Sequence, residues 1–292
     1  MQQTEDLMSA PHHHLPPLPG MLMRAVPTVV RSGKVADQIA NIQARFHLPA
    51  IDQDNLKAYH ETFPGLVSAI PLNYFYLVAQ RAHLAAMLDK SFPWPILGMV
   101  HVGNKMQQLA SINPHAAFEL AVTIEMPERA ATRKRVRPVY VVEFLQDNHC
   151  VVRCESTYQV GSGGKTPASR RVREESLNLN QWQALNIWDL DSAQGRRYAK
   201  LSGDYNPIHL HPWLSRWFGF AQPIIHGMYS VARVQADIEK HMQQPVQLID
   251  VAFKRPLALP NQVVSHLHHD LGKFLISDAQ GAKSYLEGYF RS

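Results

Sequence analysis

The alternation of apolar and polar residues predicts a chain built mainly from β-strands, with a helical segment in each half. In the second half, Val231, Val234 and Ile238 recur at helical spacing and predict a helix over 230–242. A central helix covered by a curved antiparallel sheet, an α+β arrangement, accounts for this pattern in each half. Strand-like runs are predicted at 117–125, 139–145, 150–160, 247–253, 263–269, 274–277 and 284–290.

An internal repeat relates the two halves. Pro-Ile-Leu-Gly-Met recurs as Pro-Ile-Ile-His-Gly-Met, which pairs Gly98 with Gly227 at an offset of 227 − 98 = 129. Glu-Phe-Leu-Gln-Asp recurs as Lys-Phe-Leu-Ile-Ser-Asp, which pairs Phe144 with Phe274 at an offset of 274 − 144 = 130. Two landmarks in the same order with nearly one offset predict a duplicated unit of about 110 to 130 residues.

The repeat and the loop-forming residues predict four segments. Residues 1–23 carry a Pro- and His-rich run without a burial period, so we expect an N-terminal tail there. The Gly-rich stretch at 161–172 is predicted to be a linker. The predicted units occupy 24–160 and 173–292.

Composition and charge narrow the class of protein. Of the 292 residues, 46% are hydrophobic and 18% are charged, which is typical of a globular protein with a substantial core. The 29 Lys and Arg residues against 24 Asp and Glu residues give a net charge of +5. Because these basic residues do not cluster among aromatic ones, we expect no nucleic-acid partner. No apolar run approaches the ~18 residues of a membrane helix, so we expect no membrane partner either.

The two cysteines, Cys150 and Cys154, lie on one predicted strand. Residues four apart in a strand are separated by roughly 13 Å, too far for a disulfide. The N-terminus also lacks the basic and apolar regions of a secretory leader. We therefore expect a reduced, cytoplasmic protein.

Two motifs suggest sites that their surroundings argue against. Gly-Ser-Gly-Gly-Lys-Thr resembles a phosphate-binding loop, but Gln159 stands where its first glycine is required and Pro167 obstructs the helix that should follow. His209 and His211 have no third metal ligand near them in the sequence. We expect no metal site.

One loop brings together residues suited to acid–base chemistry. In Ser-Gly-Asp-Tyr-Asn-Pro-Ile-His, Gly203 and Pro207 shape a turn that can direct Asp204 and His209 toward one point. A carboxylate and an imidazole that share one water offer a proton acceptor and a proton donor. Gly227 lies at an expected helix start, where a backbone N–H favours developing negative charge. From the residues alone, a helix-capping aspartate beside a structural histidine remains an open alternative.

The segment 198–209, with Ser215 six residues on, resembles the complete signature of the MaoC-like dehydratases, also called (R)-specific or type-2 enoyl-CoA hydratases. The sequence Phe-Lys-Arg-Pro at 253–256 resembles the strand after that family's central helix. The resemblance implies a hot-dog fold, here a double hot dog with two tandem units in one chain. It also implies that Asp204 and His209 form the catalytic pair. The Gly227 amide would bind the thioester oxygen and Asn206 would orient the loop.

The first unit departs from this signature. Its corresponding stretch, 68–76, has no Asp and no Pro-x-His, and Leu97 stands where the repeat places His226. The resemblance therefore implies one active site per chain, in the second unit.

The resulting prediction is a hydro-lyase of fatty acid metabolism that reversibly hydrates trans-2-enoyl thioesters to (R)-3-hydroxyacyl thioesters. Coenzyme A or acyl carrier protein would be the substrate's carrier, no further cofactor is implied, and a homodimer is one open assembly state. A hot-dog thioesterase and a noncatalytic acyl-thioester-binding module remain alternatives. The candidate carrier contacts are Arg170, Arg171, Arg173, Lys254 and Arg255.

Overall fold

The computed structural model describes residues 12–31, 40–97, 99–127, 136–160, 177–268 and 271–292. The chain divides into two compact units. The first comprises Met1–Leu56 and Phe75–Ser162, and the second comprises Lys57–Tyr74 and Gly163–Ser292. The predicted linker and the candidate residues Arg170, Arg171 and Arg173 lie outside the described residues.

The first unit is an antiparallel sheet with a long helix packed on it. The sheet order is β1-β2-β4-β5-β6-β3, and β1 pairs in parallel with β2. On α3, the Phe75 ring lies 6.0 Å from that of Phe118 and 5.1 Å from that of Phe144. The elements in this half of the chain are β1 (His12–His14), α1 (Leu18–Ala25), a 3₁₀ turn (Val26–Val30), β2 (Ile42–Leu48), α2 (Gln53–Thr62), α3 (Leu72–Met87), β3 (Val100–Gln108), β4 (Phe118–Glu125), β5 (Val139–Gln146) and β6 (His149–Gln159). Residues 57–62 of α2 and 72–74 of α3 fall within the second unit.

The second unit repeats this plan. Its antiparallel sheet has the order β8-β11-β10-β9-β7. The helix α6 is fixed to the sheet because the Asp237 carboxylate accepts hydrogen bonds from Trp188 Nε1 on β7 at 2.8 Å and Ser265 Oγ on β9 at 2.7 Å. The elements are β7 (Trp182–Leu190), α4 (Gln194–Ser202), a 3₁₀ turn (Pro207–His209), α5 (Pro212–Trp217), α6 (Gly227–Met242), β8 (Leu248–Phe253), β9 (Asn261–His268), β10 (Lys273–Asp278) and β11 (Ser284–Arg291).

The two units correspond element by element, but one of the two sequence landmarks is wrong. Each has a first strand, a helix of 16 residues and four further strands in the same sheet order. Phe144 on β5 and Phe274 on β10 occupy equivalent strands, as the repeat predicts. Gly98 itself lies outside the described residues, but Met99 directly precedes a strand, whereas Gly227 begins a helix. A match of five residues without periodicity does not show whether the segment precedes a strand or begins a helix.

The equivalent of α6 is therefore α3, and the residue directly before α3 is Pro71. Pro71, and not Leu97, takes the position of His226 in the first unit. The expectation that the first unit has no histidine at this position still holds.

The segment Lys57–Tyr74 belongs to the second unit, which differs from the boundaries expected from the repeat. The Phe63 ring lies 5.5 Å from the Tyr229 ring on α6. The buried Glu239 carboxylate, also on α6, accepts hydrogen bonds from the Ser68 N–H at 2.9 Å and the Ser68 hydroxyl at 2.5 Å. These contacts join residues more than 160 positions apart, so a local pattern does not reveal them.

Part of the expected N-terminal tail is ordered structure. His12–His14 pairs with β2, and Leu15, Leu18 and Met21 are buried. The Arg81 guanidinium donates to the carbonyls of Leu15 at 2.9 Å and Pro16 at 3.1 Å. Residues 12–21 therefore pack on the first unit and include a strand and a helix start, whereas the sequence predicted a tail over 1–23. The apolar residues recur every three positions, a helical spacing that the surrounding prolines conceal.

Two further features of the chain concern its cysteines and its helices. Cys150 and Cys154 are both free. Among the described helices, none combines the length and apolar character needed to cross a bilayer.

Candidate active site

The site begins where α4 ends. Gly203 adopts a left-handed conformation (φ 75°), and its N–H donates to the Ala199 carbonyl at 2.9 Å. A side chain would strain this turn, so glycine is favoured here. The Ser202 hydroxyl donates to the Tyr198 carbonyl at 2.8 Å and accepts the Asp204 N–H at 3.2 Å. The helix end thereby fixes the backbone of Asp204.

The loop after Asp204 is held by its own polar side chains. Asp204 Oδ1 accepts the Asn206 N–H at 3.1 Å, and Asn206 Oδ1 accepts the Ile208 N–H at 3.4 Å. The His209 N–H donates to the Asn206 carbonyl at 3.0 Å and closes the 3₁₀ turn. Asn206 thus caps the turn that carries His209. This placement suits the loop-orienting role expected for Asn206.

The His209 ring is held in one tautomer. Its Nδ1 lies 2.7 Å from the Ile224 carbonyl oxygen. A carbonyl can only accept a hydrogen bond, so Nδ1 carries the proton and Nε2 has a free lone pair. Ile224 is fixed in turn because its N–H donates to the Ile208 carbonyl at 3.1 Å.

Burial keeps this ring neutral. Desolvation, with a further contribution from His226, lowers the pKa of His209 to about 3, although Asp204 and the Ile224 carbonyl oppose the shift. At neutral pH His209 is therefore a hydrogen-bond acceptor through Nε2. The sequence-based expectation paired His209 with Asp204 as the proton donor. That role stays a prediction, and a neutral ring with Nδ1 protonated would act as an acceptor instead.

His226 lies beside Asp204 and His209, although the sequence analysis assigned it no role. Its ring stacks on that of His209, with centroids 3.6 Å apart and planes at 27°. Its Nε2 lies 2.9 Å from the Asp204 backbone carbonyl oxygen and 4.0 Å from Asp204 Oδ2. Burial lowers the pKa of His226, against the opposing effect of Asp204. Its position directly before Gly227 is the sequence signal that marks it.

Gly227 begins α6, so its N–H belongs to the first turn, where backbone donors have no partner within the helix. A side chain here would collide with the Phe253 ring, because an added Cβ would lie 2.7 Å from Phe253 Cε1.

Two of the candidate carrier contacts directly follow Phe253 in the sequence. Lys254 Nζ pairs with Glu287 Oε2 at 3.1 Å, and Arg255 Nη1 donates to the Ser284 carbonyl at 2.9 Å. Both cations therefore already have partners.

Two further residues, Gly195 and Ser215, support the backbone around the site and are not proposed to react. Gly195 on α4 lies so close to the His209 backbone carbonyl that a Cβ at this position would overlap the oxygen. Ser215 is fully buried, and its hydroxyl lies 3.1 Å and 3.2 Å from the carbonyl oxygens of Pro212 and Phe220. Ser215 of the signature therefore closes the loop around α5.

Asp204, His209 and His226 form one compact cluster. Each presents a ligand atom, and these atoms lie within 4.8 Å of one another. Within the described ranges no other group of three or more His, Cys, Asp or Glu residues meets this condition.

Comparison with known proteins matches part of the chain to a family. Residues 168–273, which include every site residue above, match the family profile described as MaoC like domain. The chain contains a MaoC-like dehydratase domain. The resemblance stated from residues 198–209 is thereby confirmed.

Relatives of this MaoC-like chain match well beyond the domain. It is 27% identical over 242 residues to 3-hydroxyacyl-thioester dehydratase X of Mycobacterium tuberculosis, which covers 81% of this chain and 82% of the relative. It is 27% identical over 143 residues to peroxisomal multifunctional enzyme type 2 of Mus musculus, covering 42% of this chain and 19% of that protein. The crystal structure of HtdX from M. tuberculosis matches with a TM-score of 0.70 at 23% identity, over 86% of this chain and 99% of that one. This likeness confirms the predicted α+β hot-dog fold.

Proposed function

We propose that the protein is a hydro-lyase that reversibly hydrates trans-2-enoyl thioesters to (R)-3-hydroxyacyl thioesters. The observation that carries this proposal is the close grouping of Asp204 and His209, whose ligand atoms lie within 4.8 Å of each other, while Nδ1 of His209 is held by the Ile224 carbonyl. The M. tuberculosis relative is named a 3-hydroxyacyl-thioester dehydratase, and dehydration of a 3-hydroxyacyl thioester is the reverse direction of the same reaction.

In the proposed mechanism the water donates one hydrogen bond to Asp204 and the other to Nε2 of His209. Both acceptors are held by their neighbours, so the water's lone pair can face the substrate. As the water oxygen bonds to the β-carbon, its proton passes to the Asp204 carboxylate. The π electrons of the double bond move toward the thioester carbonyl, and Asp204 then returns the proton to the α-carbon. His209 stays neutral throughout, in keeping with the low pKa of its ring.

The thioester oxygen becomes negatively charged during this step. The Gly227 N–H at the start of α6 is the donor proposed to stabilise it, assisted by the positive end of the 16-residue helix. Because hydration involves no net oxidation or reduction, the proposal needs no redox cofactor.

Coenzyme A or acyl carrier protein is the proposed carrier. Lys254 and Arg255 directly follow Phe253, whose ring contacts Gly227, so two exposed cations lie next in the chain to the proposed oxyanion donor. Cations at this point are suited to the phosphates of a nucleotide or to an acidic carrier surface.

The test is loss of the conjugated enoyl-thioester absorbance on incubation with the purified full chain. Wild-type protein should consume the substrate, and Asp204→Asn and His209→Ala should each lower kcat by at least about 10²-fold. The double variant should be no worse than the poorer single one, since both residues act on one water. Release of free thiol with the double bond intact would instead identify a thioesterase, and binding without turnover would identify an acyl-thioester-binding module. Either result would contradict the proposal.

A further inference from the structure

The position of His226 links the three parts of the proposed site. It directly precedes Gly227, its ring stacks on His209 at 3.6 Å, and its Nε2 lies 2.9 Å from the Asp204 carbonyl. Since that carbonyl can only accept, Nε2 carries the proton. The Tyr198 ring packs edge-on against His226 at 4.9 Å, so the imidazole is confined between two rings.

The proton on Nε2 leaves Nδ1 of His226 bare. His226 is 3% exposed, and Nδ1 has no hydrogen-bond partner among the residues that the structure describes. A buried acceptor without a partner destabilises a fold. If position 226 only had to be filled by a flat ring, phenylalanine would pack there without burying an unpaired nitrogen. What histidine adds over phenylalanine is the hydrogen bond from Nε2–H to the Asp204 carbonyl.

We propose that His226 is a positioning residue, which holds Asp204 through its Nε2–H and sets the plane of the His209 ring by stacking. This inference rests on the proposed hydratase function. His226 touches neither the water nor the substrate in this account. It acts through Asp204 and His209, whose reacting atoms must be placed within a fraction of an ångström for efficient turnover.

Two substitutions separate the hydrogen bond from the ring. His226→Phe keeps a flat ring for stacking and removes the donor, whereas His226→Gln keeps an N–H at a comparable reach and removes the aromatic ring. We expect His226→Phe to lower kcat about 10- to 100-fold with KM within about threefold of wild type. His226→Gln should recover at least about tenfold of that loss in kcat, since it restores the donor to Asp204.

The matched control is His266→Phe. His266 is a buried histidine of the same unit, its Nε2 is bonded to Ser277 Oγ at 2.9 Å, and its Nδ1 also has no hydrogen-bond partner in the described part of the chain. It lies on β9, away from the loop of Asp204. We expect this variant to retain wild-type kcat.

A second measurement does not depend on the variants. Two-bond ¹H–¹⁵N correlation spectra of the wild-type chain should show His226 protonated on Nε2 and His209 protonated on Nδ1 at neutral pH. The inference is overturned if His226 carries its proton on Nδ1. It is also overturned if folded His226→Phe turns over at the wild-type rate, or if His226→Gln is as slow as His226→Phe. If wild-type protein turns over no enoyl thioester, the proposed function fails. The NMR measurement of the His226 tautomer still tests, independently of turnover, whether His226 donates a hydrogen bond to Asp204.

Discussion

His83, on α3 of the first unit, makes the acid stability of this protein predictable. The residue is 0% exposed, and neither ring nitrogen has a hydrogen-bond partner among the described residues. Its ring lies 5.4 Å from the Tyr140 ring and 6.5 Å from the Tyr158 ring. Burial, with a smaller contribution from His101, lowers the pKa of His83 to about 3. The folded unit therefore contains a neutral imidazole at every pH above that value.

The sign of the effect follows from proton binding. Below pH 6.5, the ordinary pKa of histidine, the unfolded chain binds a proton at His83, while the folded chain does not bind one until about pH 3. Stability therefore falls as the pH decreases from 6.5 and stops falling near 3. At about 1.4 kcal/mol for each pH unit, His83 alone removes about 3 kcal/mol between neutral pH and pH 4.5.

His83→Leu and His83→Gln both remove the titrating group. Each variant should gain about 3 kcal/mol relative to wild type when the pH is lowered from 7.5 to 4.5. At pH 7.5 the two variants should differ, because Leu buries no polar atom whereas Gln buries an amide without evident partners, at a cost of about 1–3 kcal/mol. Urea unfolding followed by circular dichroism at four pH values measures both effects.

His115→Leu is the control, since His115 is exposed. Its stability difference from wild type should stay constant over the same range. If the difference between His83→Leu and wild type were also constant, the imidazole of His83 would be protonated or hydrated in the folded protein, and the argument from burial would be refuted.

Further predictions concern the second unit. Gly195→Ala should lower kcat at least about tenfold, because the added methyl displaces the His209 carbonyl, whereas Gly20→Ala, at a helical glycine with open space around it, should leave kcat unchanged in the same assay. The pH profile of kcat/KM should show no acid limb near 6.5, because the lowered pKa of His209 keeps its ring an acceptor well below that pH; a midpoint near 6.5 would contradict the neutral ring. Combined Lys254→Gln and Arg255→Gln substitution should raise KM for a coenzyme A thioester a few-fold and flatten its dependence on salt, and an unchanged salt dependence would remove both cations from the carrier contact.

Local sequence patterns were sufficient for the regular strands and the central helix of the second unit. The run predicted at 139–145 is observed as Val139–Gln146, and that predicted at 247–253 as Leu248–Phe253. Alternating burial is a property of neighbouring residues, so it can be recognised without the fold. The strands β1, β2, β3 and β7 were not predicted. On β3, for example, just two residues are buried, and its strand character comes from pairing with β6.

The loop of the site could also be predicted from the sequence, since Asp204, Asn206 and His209 lie within six consecutive positions. Gly203 and Pro207 restrict the backbone there through their own geometry. The family resemblance then assigned the chemistry of these residues. Their protonation states, by contrast, depend on the Ile224 carbonyl and on burial.

Only the tertiary structure decided how the site is supported. The bond from His226 to Asp204 and the close approach of Gly195 to His209 join residues 14 to 22 positions apart across irregular chain. The Glu239 contact with Ser68 spans 171 positions. Hydrogen-bond partners and desolvation are set by whatever the completed fold packs around a group, whatever its distance along the chain. Sequence therefore determined which residues could react, and packing determined that His209 stays neutral and that His226 is placed to hold its neighbours.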